Sequence, residues 1–126
     1  MKLTNKEIAH FWSNKRCAQA YNMALKELMG LNESEPQKGK RLNHCIAYVF
    51  ETPHWYILKS YETYIAVIEK DTDTLYDCLR LVYGYTSTSC QHISKFKHIY
   101  GKGKWGVAEE VIGRPINKEL DEEIEF

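Results

Sequence analysis

Histidine and cysteine are the residues here best able to do chemistry on their own, and their spacing decides which chemistry is open to them. His44 stands beside Cys45, and Cys90 stands two residues before His92. A structural zinc site takes its ligands in close pairs of the C-x-x-C or H-x-x-x-H kind, because each pair grips the ion from a single turn. Neither pair has that form. On a strand, neighbours such as His44 and Cys45 point to opposite faces, and on a helix Cys90 and His92 lie about 200° apart. No metal ligand set and no cofactor is therefore expected. A cysteine nucleophile would need a histidine base and an orienting acid. The four cysteines, Cys17, Cys45, Cys78 and Cys90, are scattered without a C-x-x-C pair and read as small apolar groups packed in a core. G-x-S-x-G, P-loop, dinucleotide-binding and H-E-x-x-H patterns are all absent, so no catalytic residue is assigned and the chain is not expected to be an enzyme.

Two charged segments suggest binding. Lys95, Lys97, His98, Lys102 and Lys104 gather around Tyr100 and Trp105, a mixture of cations and stacking surfaces that nucleic-acid-binding segments use. Further on, Glu119, Asp121, Glu122, Glu123 and Glu125 form an acidic run able to imitate a row of phosphates in a basic groove of a partner. Trp105 offers a further, aromatic contact for a partner. Over the whole chain, 17 Lys and Arg balance 17 Asp and Glu, so no global field draws in nucleic acid and recognition must be local.

The elements that must carry these residues follow from length and periodicity. A chain of 126 residues, 44% hydrophobic, is one domain's worth, divided into a helical part 4–30, a sheet-and-helix part 40–101 and an extension 102–126. Thr4 and Glu7 make a capping box, with the Glu7 carboxylate expected to reach back to the Thr4 amide. Ile8, Phe11 and Trp12 and then Ala18, Tyr21, Leu25 and Leu28 follow at helical spacing, interrupted by the polar step Ser13–Arg16. One kinked helix and two short ones are both compatible with this pattern, and Gly30 is the expected stop. Phe11 and Trp12 are expected to pack on the sheet.

After the loop 31–39, Leu42 to Phe50 alternates as a strand until Thr52 and Pro53 interrupt it. His54–Ser60 and Thr63–Glu69 are either two strands or one long strand bent by a bulge, because Tyr61 and Glu62 are weak turn formers. Asp71–Thr74 is a clear turn, and Leu75–Tyr83 resumes the alternation. Thr86–Ser89 offers caps for a helix ending at Gly101, with Cys90, Ile93, Phe96 or Lys97, and Tyr100 inward and His92, Lys95 and His98 nearer the outside. Val107–Ile112 is a short amphipathic piece, and Ile116, Leu120 and Ile124 allow a helix in the acidic tail. The fold class is α+β: one or two N-terminal helices, a three- to four-stranded antiparallel sheet, one packed late helix and an acidic C-terminal tail. An exposed strand edge would also permit a homodimer. The first residues lack a secretory core and no stretch approaches the ~20 apolar residues of a membrane span, so a cytoplasmic protein is expected.

Three stretches together resemble a known group. Phe11-Trp12, then LKSYETYIA (Leu58 to Ala66), then YGYTSTSCQHISKF (Tyr83 to Phe96) resemble small proteins of unknown function from phages and mobile elements of Gram-positive bacteria. Those proteins carry a serine-tyrosine strand and a Y-S-x-T-T-x-x-H-I-x-x-F pattern. It is matched here by Tyr85, Ser87, Thr88, His92, Ile93 and Phe96, with Ser89 where a second threonine is typical. The resemblance implies a phage accessory protein in the host cytoplasm. Anti-CRISPR proteins are the implied class: compact, non-catalytic binders of a host protein such as a CRISPR effector nuclease. The acidic tail has no counterpart in that group; the acidic residues 119–125 and Trp105 are expected as the contacts from their own charge and size. The alternative is a nucleic-acid-binding accessory protein using the lysine-rich segment 95–104.

Overall fold

The structure, a computed structural model, describes residues 4–115. Its elements run α1 (Asn5–Ser34), β1 (Lys40–Arg41), β2 (Ala47–Glu51), β3 (Trp55–Ser60), β4 (Thr63–Glu69), β5 (Thr74–Asp77), α2 (Leu79–Val82), α3 (Ser87–Tyr100) and β6 (Glu109–Ile112). The class is α+β as expected, but the sheet has six strands rather than three or four. Strand order follows chain order, and every pairing is antiparallel except the last, where β6 runs parallel to β5.

The first helix is one continuous element of 30 residues. Thr4 caps it as expected, its hydroxyl oxygen accepting from the Glu7 amide at 3.2 Å, although the Glu7 carboxylate receives the Thr4 hydroxyl rather than the Thr4 amide. The polar step does not break it because Asn14 is itself buried. Asn14 Nδ2 donates to the Arg114 carbonyl and the Arg114 amide donates to Asn14 Oδ1, each at 2.6 Å. A polar residue thereby occupies a core-facing position, and no local pattern announces it. Gly30 does not stop the helix either. Glycine in a helix interior costs only about 1 kcal/mol, whereas Pro36 forces the residue before it out of the helical region. Glu35 is accordingly extended, at φ −153° and ψ 126°.

Between β1 and β2 the chain turns through Asn43, at φ 51°, so the expected strand from Leu42 is a hairpin arm that begins at Ala47. Both readings of the next region hold in part. Tyr61, at φ 53°, makes the turn between β3 and β4, and a bulge at Leu58/Lys59 leaves Ile65 without an opposite residue. The Lys70–Thr74 hairpin forms as expected, with Asp73 at φ 54°. The expected strand Leu75–Tyr83 is cut short at Asp77. Its carboxylate takes the Leu79 amide at 3.1 Å, and Leu81 and Val82 donate back to the Cys78 carbonyl at 3.0 Å each, winding Leu79–Val82 into one helical turn. Val107–Ile112 supplies β6, whose pairing depends on a residue range brought back by α3 and could not be read locally.

Helices cover both faces of the sheet. Ile57 and Val67 face Ala24 and Leu28 of α1, while Leu58, Ala66 and Ile68 face Ile93 and Phe96 of α3. Successive strand residues point to opposite sides, so a strand covered on both faces buries every position, as Thr74 to Asp77 do. Phe11 is half-buried against Trp12, and Trp12 is 56% exposed under the Lys15 ammonium, so Trp12 does not pack on the sheet as expected. Among the described residues, no helix is long and apolar enough to cross a membrane.

Candidate functional site

The β3–β4 turn and the start of α3 are distant in sequence and meet in space. β3 ends at Ser60, Tyr61 turns the chain, and β4 starts at Thr63. Against this turn lies the beginning of α3, capped by Thr86, whose hydroxyl oxygen accepts from the Ser89 amide at 3.2 Å. Along α3, Ser89, His92, Ile93 and Phe96 follow at i, i+3, i+4 and i+7, which is one helical face. That face is buried.

His92 was expected nearer the outside and is instead 4% exposed. A hydrogen-bonding partner inside permits this. Ser60 Oγ lies 2.7 Å from His92 Nδ1 and 3.2 Å from Ser89 Oγ, so strand end and helix share a buried polar tie. Cys90, expected inward, is only half-buried. Burial first, and the charge of Lys95 second, hold the His92 imidazole below its ordinary pKa, so it is neutral at pH 7. A neutral imidazole beside a hydroxyl is the unit that activates a serine. Among the described residues, however, no carboxylate bonds His92 to orient it, and Ser60 is itself buried.

A concavity of about 480 Å³ opens beside this tie. It is lined by the hydroxyl residues Ser60, Thr63, Thr86, Thr88 and Ser89, by Ile65 and Glu62, and by the exposed Tyr61 and Tyr83. Tyr83 is 67% exposed, and the Tyr61 ring stands 6.0 Å from the His92 ring. Tyr85 continues the aromatic surface with the Arg80 guanidinium 4.9 Å above its ring.

The lysine-rich segment lies at the other end of α3. Gly101 and Gly106 let the chain fold back tightly there: a Cβ on Gly101 would sit 2.5 Å from the Gly106 carbonyl carbon, and Gly106 adopts φ 121°. Asp73 pins this turn, its carboxylate accepting from the Lys102 amide at 3.0 Å and the Ala108 amide at 2.9 Å. Trp105 projects from it, 82% exposed, with Lys104 Nζ 5.4 Å from its ring centre. The other predicted cations are engaged internally to different degrees. Lys97 pairs with Glu110 at 3.2 Å, Lys102 Nζ donates to the Lys70 carbonyl, and Lys95 Nζ lies 3.1 Å from Cys45 Sγ. His98 is exposed. Glu119, Asp121, Glu122, Glu123 and Glu125 lie outside the described residues.

Residue chemistry alone missed Ser60, Tyr61, Glu62 and Tyr83 as site residues. No local pattern marks them, because residues 60–65 and 83–89 come to line one concavity only through the fold. Among the described residues, no group of three or more His, Cys, Asp or Glu could hold a metal ion. Comparison with protein-family models, with curated proteins and with solved structures finds no match to this chain.

Proposed function

We propose that this chain is a small phage or mobile-element accessory protein that binds a host defence nuclease and blocks it without catalysis of its own, in the manner of anti-CRISPR proteins. One observation carries the binding reading. The stretches that resemble phage proteins converge on a concave surface rimmed by Tyr61 and Tyr83, and exposed tyrosine beside a cavity is the composition of protein-recognition sites. Trp105 offers a second aromatic contact at the opposite end of α3. The acidic residues 119–125 supply the charge that a basic nuclease groove would meet. The proposed site of action is the host cytoplasm.

The test is an interference assay in bacteria carrying an active CRISPR nuclease. Expressing the chain should restore transformation by a targeted plasmid, and unchanged interference across the effector types tried would remove the nuclease from the proposal. A nucleic-acid-binding role is favoured by one feature, the exposed Lys104–Trp105 pair. It requires a mobility shift at low salt that disappears when Lys95, Lys97, Lys102 and Lys104 are changed to alanine, because phosphate contacts are strongest at low salt.

A further inference from the structure

We infer that the concavity between the β3–β4 turn and the start of α3 is a socket for an arginine side chain presented by a partner protein. The inference rests on the reading of the chain as a protein-binding module, and it does not depend on the partner being a nuclease. A guanidinium carries five N–H donors, no acceptor and a flat face that stacks on aromatic rings. The cavity offers what such a group needs. Its lining residues include the acidic Glu62, the hydroxyl-bearing Thr63, Thr86 and Thr88, and the aromatic Tyr61 and Tyr83, with no lysine, arginine or histidine among them.

This protein already uses its tyrosines as platforms for cations. The Arg80 guanidinium stands 4.9 Å from the Tyr85 ring centre, Lys70 Nζ 4.7 Å from Tyr56, and Arg16 5.8 Å from Tyr76. Among the described residues, no cation stands over Tyr61 or Tyr83, although both rings border the cavity. Stacking of arginine on an aromatic face gains most where water is excluded, and a recess does that better than a flat surface.

An anion is the competing occupant, because the start of a helix carries partial positive charge. Two features weigh against it. Thr86 already takes the Ser89 amide through its hydroxyl and the Cys90 amide through its carbonyl, and an anion entering the recess would meet Glu62.

The test is an NMR titration of the full chain, following backbone amides, with a short Gly/Ser peptide containing one arginine. Parallel titrations use the same peptide with citrulline, its neutral isostere, the same peptide with lysine, and inorganic phosphate. The arginine peptide should give saturable shifts confined to residues 60–65 and 83–89, and citrulline should give none. Glu62→Gln, an exposed and conservative change, should weaken the arginine response about two- to fivefold, as loss of a surface ion pair does. Tyr83→Ala should weaken it similarly. Absence of local shifts, equal shifts with citrulline or lysine, or a phosphate response at the same amides would each overturn the socket. If arginine binds and no nuclease is inhibited, the socket stands and the nuclease falls. Inhibition by a chain that ignores arginine has the reverse meaning.

Discussion

Ser60 Oγ, at the end of β3, lies 2.7 Å from Nδ1 of His92, one turn further along α3 than Ser89, and both groups are buried. The contact fastens the β3–β4 turn to the helix and so sets the depth and shape of the tyrosine-rimmed concavity beside it. Ser60→Ala should leave a buried imidazole nitrogen without its partner and cost about 1–3 kcal/mol. Urea denaturation measures this. The double variant Ser60→Ala, His92→Leu should cost less than the sum of its single changes, because the two groups act as a unit.

Acidification provides a second test of the same contact. The folded pKa of His92 is lowered by burial and then by Lys95, so below pH 6.5 the unfolded chain takes up a proton that the folded chain does not. Stability is therefore unaffected by His92 at higher pH and falls as pH drops from the unfolded value toward the folded one. His54 works the other way. Its pKa is raised mainly by the hydrogen bond to Glu27, 2.8 Å away, so its contribution is fully present below pH 6.5 and is lost as pH rises through the folded value. Denaturation curves at pH 7.5 and pH 5 should show a smaller acid loss for His92→Asn than for the wild type, and a larger one for His54→Gln.

Asn14 and Arg114 make the longest-range polar clasp in the described fold. Both backbone groups of Arg114 are bonded to one buried side chain, and this holds the end of β6 against α1. Asn14→Ala should destabilise by about 2–4 kcal/mol, since it leaves two backbone groups unpartnered at once. Hydrogen exchange at the Val111–Arg114 amides should rise more than exchange in β3 and β4.

Display of Trp105 depends on Asp73 and Gly101. Asp73→Ala removes the acceptors of the Lys102 and Ala108 amides, and Gly101→Ala drives a Cβ into the Gly106 carbonyl. Each change should speed hydrogen exchange across residues 101–108 and make Trp105 more mobile by ¹⁵N relaxation of its indole. The amides near Tyr61 and Ser89 should keep their chemical shifts.

Elements with strong local signals were legible in the sequence. The Thr4 cap, the Asp71–Thr74 turn, the α3 caps at Thr86 and the Gly101 stop all rest on neighbours a few residues apart. What escaped depends on distant partners. Asn14 looks like a helix break because its partner, Arg114, is 100 residues away. His92 looks like a surface residue because Ser60, which makes its burial tolerable, belongs to another motif. Leu79 and Leu81 alternate like strand residues, yet Asp77 and Cys78 turn them into a helix. β6 is parallel to β5, a pairing that no hairpin signal announces. The site was similarly divided: its lysines and Trp105 were visible as a cluster, while Tyr61 and Tyr83 became neighbours only through the fold.

If the proposed inhibition of a nuclease runs through the tyrosine-rimmed concavity, truncating the rim must weaken it. Cleavage of a target DNA by a purified CRISPR effector, measured with increasing wild-type chain and with the folded variant Tyr61→Ala, Tyr83→Ala, tests it most directly. The wild type should stop cleavage at stoichiometric concentration while the double variant should need at least about tenfold more, the loss expected when two aromatic contacts are truncated. Cleavage unaffected by the wild type, or stopped equally well by the double variant, would contradict it.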